Sequence, residues 1–395
     1  MAGEAQSGAA AAADASRAPS GAAHHRRRAG ELGRVVRRLQ GLILALCASC
    51  ATGSGREPRV TVDDLFSAYS GSAVPGASVV VIRDGRVIIR AAFGMADLER
   101  RVAATPETDY RLASVSKQFT AMAVMLLAKD GKLRYDQPVR DFLPELPAAA
   151  RAVTVRHLLN HTSGLWDYED LIPETRTTQL DDRDVLALIA AKDSAYFSPG
   201  AQYRYSNSGY VLLGIIVARV SGMSFPDFVQ TRIFAALGMR TSVVHVEGSD
   251  TVPHRAYGYS PRGGSFEQTD QSVTSATLGD GGIYSNVDDL VRWDQALERN
   301  TLVDSATMRL ATTPPQLPAG AATEYGFGWF VDQYRGLTRW RHTGETSGFR
   351  NAILRFPDRR LTIVILTNRS SGEPQAIAER IADRLLLDPD SRLPH

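Results

Sequence analysis

Strand-like runs stand at the two ends of this 395-residue chain, and helical spacing fills the stretch between them. Near the N-terminal end, Val79 to Ile82 and Arg86 to Ala92 flank Asp84-Gly85, two β-branched runs joined by a turn that glycine permits. Towards the C-terminal end, residues 326–333, 336–342, 348–356 and 361–367 alternate as strands, and Asp358 with the Arg359-Arg360 pair marks a hairpin turn. Strands this far apart in sequence have one economical solution, a single antiparallel sheet assembled from both ends.

The middle of the chain reads differently. Residues 114–130 carry Phe119, Met122, Ala123, Leu126 and Leu127 at three- and four-residue steps and stop at Gly131, which predicts a helix. Roughly from 135 to 310 the chain reads as mixed helix and loop, with helices near 154–160, 183–191, 208–221, 225–237 and 287–298. Helical spacing also marks 60–70, and a final helix is expected near 374–387. The expected class is α+β. The sheet part comprises 60–112 plus 320–390, the helical part 113–319, and the cleft between them is the natural place for chemistry.

Residues 60–390 therefore form the folded domain, and the segments before it have another character. Residues 1–34 are rich in Ala, Gly, Ser and Arg and read as a disordered or untranslated extension. Within 35–52, Arg37-Arg38 precede the apolar run Leu39 to Cys47 and the small residues Ala48 to Ala51, the layout of a secretory signal. An exported protein, periplasmic or extracellular, is expected. Cys50 follows Ala48-Ser49 as in a lipoprotein signal, but Cys47 stands where an aliphatic residue is usual. Simple secretion is expected ahead of membrane attachment through a lipid on Cys50. Residues 1–50 hold seven Arg and three acids, which leaves 38 basic and 40 acidic residues in the rest. That balance gives no reason to expect a nucleic-acid partner.

Three groups carry candidate chemistry. Ser114 opens the 114–130 helix beside unpaired N–H groups, and Lys117 lies one turn on, on the same face. An amine so placed can take the Ser proton, and the N–H groups can hold an oxyanion. The bland reading is a cap and a solvated charge, and with only four Lys a Ser-x-x-Lys match still arises in roughly a quarter of shuffled chains. Tyr205 can relay protons and Asn207 can orient a carbonyl, yet Tyr284-Ser285-Asn286 shows the same pattern, with Ser285 placed to cap a helix at Asp288. His342-Thr343-Gly344 ends a strand-like run, and the N–H of Glu345 could complete an oxyanion hole. Alone, a turn after a strand with a partly exposed His is the better explanation.

Other sets fare worse. His157 and His161 have helical spacing for two metal ligands but no carboxylate partner, so a metal site is not expected. Gly344 to Gly348 carries Thr346 at its centre, so there is no GxSxG elbow.

The order of the motifs changes the odds. Ser-x-x-Lys, then Tyr-x-Asn, then His-Thr-Gly resembles the serine beta-lactamase-like family, which includes class C beta-lactamases, D-Ala-D-Ala carboxypeptidases, D-aminopeptidases and esterases. The phrases RLASVSKQFTA, HLLNHTSGL, PGAQYRYSNSGYVLLG, GDGGIYSNVDDL and HTGETSGF also resemble it, over about residues 62–388.

The resemblance implies a beta-lactamase/transpeptidase-like fold and an acyl-enzyme on Ser114, with Lys117 and Tyr205 sharing the general-base role; which of them takes the first proton stays open. It implies an oxyanion hole from Ser114 and Glu345, substrate contacts from Asn207, His342, Thr343 and Gly344, and no cofactor or metal. It separates Tyr205, in the catalytic phrase, from Tyr284, in a structural one. Pocket walls would come from variable loops, here near 165–182 and 245–278, with Trp166 and Tyr168 either lining the cleft or packing in the core. One departure matters: beta-lactamases and carboxypeptidases of the family usually have Lys where this chain has His342. A His is largely neutral near pH 7. An ester, an amide or a D-amino-acid peptide is thus expected as substrate at least as much as a beta-lactam, and a Lys at 342 would be expected to favour carboxylate-bearing substrates. A catalytically silent penicillin-recognising or scaffold protein is the competing reading, and the intact set Ser114, Lys117, Tyr205 and Asn207 argues against it.

Overall fold

Asp84 and Gly85 both adopt positive φ, 52° and 74°, the geometry a two-residue hairpin needs to match the twist of its strands. They join strand β1 (Ala77–Arg83) to β2 (Arg86–Phe93). In this computed structural model, which describes residues 62–248, 251–318 and 320–386, that hairpin docks on the C-terminal strands. Those are β3 (Phe330–Tyr334), β4 (Leu337–Thr346), β5 (Phe349–Phe356) and β6 (Leu361–Thr367). The spatial order is β3-β4-β5-β6-β1-β2, antiparallel throughout, with Val80 opposite Val364 at the seam between the chain's ends. The extension 1–34, the signal 35–52, Cys47 and Cys50 lie outside the described residues.

Strand β1 is apolar along nearly its whole length because both faces of the sheet are covered. Successive side chains point to opposite faces. Val79 and Val81 therefore join Ile363, Ile365 and Leu354 beneath the terminal helix Pro374–Leu386 and the turn Asp63–Tyr69. Val80 and Ile82 join Val364, Leu366 and Ile353 in the larger core shared with the helical middle. Arg355 and Asp294, both buried and 2.6 Å apart, tie β5 to the helix Val287–Arg299.

The middle helices stand close to where the spacing put them, at Val155–Leu159, Asp182–Ala190, Asn207–Ser221, Phe225–Leu237 (with a π-turn inside it) and Val287–Arg299. Three differences have physical reasons. A small sheet pairs Tyr110–Arg111 with Ile283–Ser285 and Val243–Val244, strands too short for alternation to show in sequence. The expected strand 326–333 begins only at Phe330. Before it, Gly326 and Gly328 press against the Ala311 carbonyl and the backbone of Lys117 and Gln118, where any Cβ would collide. The cap of the Val287–Arg299 helix is Asn286, which accepts from Asp289 N–H at 2.9 Å. Ser285 instead ends a strand and bonds Ser242.

Candidate active site

Ser114 is set by backbone geometry before chemistry enters. Leu112 donates its N–H to the Ile283 carbonyl at 2.8 Å, which anchors the end of the short strand. Ala113 then turns at φ +49°, an unusual conformation for a residue with a Cβ. A 3-10 turn, Ala113–Ser116, follows, and the α-helix proper starts at Lys117, three residues later than Ser114. Strand β4 runs hard against this turn. A Cβ on Gly344 would overlap the Leu112 carbonyl, so only glycine lets the strand approach and bring Glu345 beside Ser114. Ser114 and Glu345 line one cavity with Arg111, Tyr168, Glu169, Asn207, Thr277 and Asp280.

Lys117 is fully buried, and its ammonium has three neutral acceptors. Nζ donates to Ser114 Oγ at 2.9 Å, to Asn207 Oδ1 at 2.7 Å and to the Asp280 carbonyl at 2.9 Å. Among the described residues no carboxylate oxygen forms an ion pair with it. The loop that supplies the Asp280 carbonyl lies flush on the Asn207–Ser221 helix because Gly279 has no side chain to hit the Tyr210 carbonyl. Asn207 is held from three sides. Its N–H goes to Asp167 Oδ2 at 2.6 Å, its Nδ2 to Glu169 Oε1 at 3.0 Å, and its Oδ1 to Lys117.

Tyr205 lies half-buried with its ring centre 5.1 Å from Lys117 Nζ, and among the described residues its hydroxyl makes no hydrogen bond. Its ring is gripped by others: His161 at 4.3 Å, Tyr325 edge-on at 5.9 Å and Phe330 stacked at 6.2 Å. His342 sits in this aromatic layer, buried, 6.2 Å from the Tyr205 ring. Its Nδ1 lies 2.6 Å from the Thr343 carbonyl, which can only accept, so Nδ1 carries the proton and Nε2 receives the Tyr325 hydroxyl at 2.9 Å. Burial first, and then the Lys117 charge, push the His342 imidazole down to about 3, so the ring is neutral at physiological pH.

The acids of the site are pushed the other way. Burial raises the Asp280 carboxyl, which accepts the Tyr168 hydroxyl at 3.1 Å. Glu169, at the cavity's solvent edge, has its carboxyl raised by desolvation, then by Asp167 and Asp280.

The structure thus brings Ser114, Lys117, Asn207, Gly344 and Glu345 to one place, with Tyr205 beside Lys117. His342 stands behind Tyr205, both ring nitrogens engaged, and presents no free donor to the cavity. Tyr284 is buried in the small sheet with its hydroxyl accepting from Arg255, away from this cluster. The two expected loops do contribute: Tyr168 and Glu169 come from one, Thr274 and Thr277 from the other. Trp166 does not line the cavity; it packs on Tyr196. His157 caps its helix with Thr154, while His161, past the helix end at φ +57°, turns inward to accept the Ser206 N–H at 3.1 Å. Arg111, Glu169, Asp280 and Tyr325 were not singled out from sequence. Arg111 and Asp280 do fall inside the phrases RLASVSKQFTA and GDGGIYSNVDDL.

The fold has known counterparts. A family model described as Beta-lactamase matches residues 62–388. Penicillin-binding protein 4* of Bacillus subtilis is 32% identical over 358 residues, covering 82% of this chain and 79% of that protein. A D-aminopeptidase of Gluconobacter oxydans is 29% identical over 82% of this chain, which spans only 63% of that enzyme's length. Among solved structures, a D-amino acid amidase from Ochrobactrum anthropi SV3, complexed with L-phenylalanine amide, superposes with a TM-score of 0.69. It is 26% identical, and the match covers 82% of this chain and 95% of that one.

Proposed function

The chain belongs to the beta-lactamase family of serine hydrolases, and from that premise we propose that it cleaves an amide or short peptide bond of a D-amino acid through an acyl-enzyme on Ser114. One observation carries this reading. Lys117 is buried with its Nζ 2.9 Å from Ser114 Oγ and its remaining contacts are neutral carbonyl oxygens. A nitrogen in hydrogen-bond reach of a hydroxyl, with no carboxylate holding it, is placed to exchange that proton as the oxygen attacks.

In this scheme one member of the Lys117 and Tyr205 pair is deprotonated when substrate is bound: Ser114 Oγ bonds to the substrate carbonyl carbon as its proton passes to Lys117 as the neutral amine or to Tyr205 as the phenolate. The developing oxyanion is received by the N–H groups of Ser114 and Glu345. The amine leaves with a proton returned from the same pair. Water then attacks the ester on Ser114, its proton passing by way of Tyr205 to Ser114 Oγ as the ester C–O bond breaks, and the acid is released. Asn207 fixes Lys117 through its Oδ1.

Two features favour an amino-acid derivative over a beta-lactam. Glu169 offers a carboxylate at the cavity's edge for a substrate's ammonium group. The neutral, enclosed His342 supplies no cation at the third motif. Relatives named D-aminopeptidase and D-amino acid amidase fit the same chemistry. The proposal extends to location: the Arg37-Arg38 and Leu39 to Cys47 pattern supports export, where such peptides would be met outside the cytoplasm.

The test is turnover of D-alanine p-nitroanilide, p-nitrophenyl acetate and nitrocefin by the wild type beside Ser114→Ala. Preference for the D-alanine derivative, lost in Ser114→Ala, is the expected result. Nitrocefin as the best substrate would overturn the substrate class, and turnover unchanged in Ser114→Ala would remove the nucleophile.

A further inference from the structure

Arg111 is buried, 3% exposed, and lines the same cavity as Ser114. Its guanidinium has no carboxylate within ion-pair distance among the described residues. Nη2 donates to the Ser275 carbonyl at 2.6 Å, Nη1 reaches the Gln271 side-chain oxygen at 3.5 Å, and Nε is buried with no partner. The other buried arginines are compensated. Arg355 pairs with Asp294 and Glu298, and Arg339 pairs with Asp332 and Glu379; Arg369 has no ion pair among the described residues either, but it donates to the Ala68 and Ser371 carbonyls and lies 3.7 Å over the Tyr69 ring.

A buried guanidinium without a counter-ion is unfavourable, and an anion arriving from the cavity would offset that cost at Arg111. Among the described residues none of the carboxylates that share the cavity forms an ion pair with it: Asp280 accepts the Tyr168 hydroxyl, Glu169 accepts from Asn207 through one oxygen, and Glu345 lies 3.5 Å from Arg350. We infer that Arg111 receives a carboxylate of the substrate. Together with Glu169 on the cavity's other charge, this makes the preferred substrate a short zwitterionic D-peptide, with a free amino end and a free carboxyl end, rather than a capped amide or a neutral ester. The inference rests on the D-amino-acid hydrolase reading above and narrows it.

The experiment compares kcat/KM for D-Ala-D-Ala and for D-Ala-D-Ala amide, which differ only in the terminal charge, with D-alanine p-nitroanilide as a common reference. The wild type is expected to prefer the free acid by about tenfold or more, the scale of a charge-assisted hydrogen bond. Arg111→Gln is expected to bring that ratio close to one, and Arg111→Lys to keep part of it. A wild-type ratio at or below one would overturn the inference without recourse to any variant. A ratio unchanged in a folded Arg111→Gln would assign Arg111 a structural role only and overturn it too. Loss of the reference activity in the wild type would instead sink the hydrolase reading, and the inference with it.

Discussion

The Tyr325 hydroxyl lies 2.9 Å from Nε2 of His342, inside the aromatic layer that backs Tyr205. That contact redefines what residue 342 does. A side chain with both nitrogens engaged and the ring enclosed is placed to fix Tyr325 and, through the aromatic layer, Tyr205. The expectation that a Lys here would select carboxylate substrates assumed a side chain facing them. His342→Lys would instead put an ammonium into this layer near Lys117, with Tyr325 as its partner. The expected outcome is a Tm lower by roughly 5 °C or more, a fall in kcat, and an unchanged ranking of free-acid against amide substrates. Calorimetry and kinetics on the two dipeptides check it. A stable variant with a new preference for the free acid would show that residue 342 faces the substrate.

The three hydrogen bonds of Lys117 make it irreplaceable by another cation. An arginine stays protonated and cannot serve as the base that a deprotonated Lys117 can, and its larger head has no room beside Asn207 Oδ1 and the Asp280 carbonyl. Lys117→Arg is therefore expected to lose on the order of 10³-fold or more in kcat, comparable to Ser114→Ala. Ser114→Ala should also abolish labelling by a fluorescent penicillin while keeping the wild-type circular dichroism spectrum. Labelling that survives in Ser114→Ala would move the nucleophile elsewhere.

The sheet was legible because its central strands β1 and β6 are β-branched apolar runs of seven residues each, and they pair whatever lies between. Ser114, Lys117, Tyr205 and Asn207 were legible as an ordered set. Arg111 was not, because what singles it out is a missing counter-ion, and sequence does not show which charges meet. Glu169 was hidden for a related reason: only the turn held by Asp167 aims it at Asn207. Tyr325 looked like one more aromatic residue before a strand, since its partner His342 becomes adjacent only when β3 and β4 pair. The strands Tyr110–Arg111, Val243–Val244 and Ile283–Ser285 are set by tertiary contacts and carry almost no periodic signal.

Glu169 predicts a pH dependence of binding. Desolvation and its acidic neighbours hold its carboxyl above the ordinary 4.5. As pH falls through that raised value, the carboxylate takes a proton and loses its attraction for an ammonium group. KM for D-alanine p-nitroanilide should rise as pH is lowered from 7 towards 5, while KM for p-nitrophenyl acetate, which has no amino group, stays flat. Glu169→Gln should raise KM for the nitroanilide at pH 7 by roughly tenfold and remove its pH dependence. A parallel rise for both substrates in the wild type would point to another group.

Asp109 makes stability itself depend on pH. Its side chain is buried where the small sheet meets the Val287–Arg299 helix. Oδ1 accepts from Asn286 Nδ2 at 2.8 Å and from Thr241 Oγ at 3.1 Å, and Oδ2 is buried with no partner among the described residues. Burial, aided by Asp289, raises the carboxyl from its ordinary 3.8 to about 8. Between those values the folded chain keeps a proton that the unfolded chain has released, so folding takes up a proton and stability falls as pH rises. Asp109→Asn keeps the Oδ1 contacts, puts an uncharged amide where Oδ2 lies, and has no proton to lose. Its stability curve from pH 5 to pH 8 should therefore be flatter than the wild type's. The variant should gain roughly 1–3 kcal/mol on the wild type across that range, read as a change in the difference between their urea midpoints. Every other titrating group is common to both proteins and cancels in that difference. Parallel curves would mean that Asp109 is ionised in the folded protein, its charge carried by Asn286 and Thr241 alone.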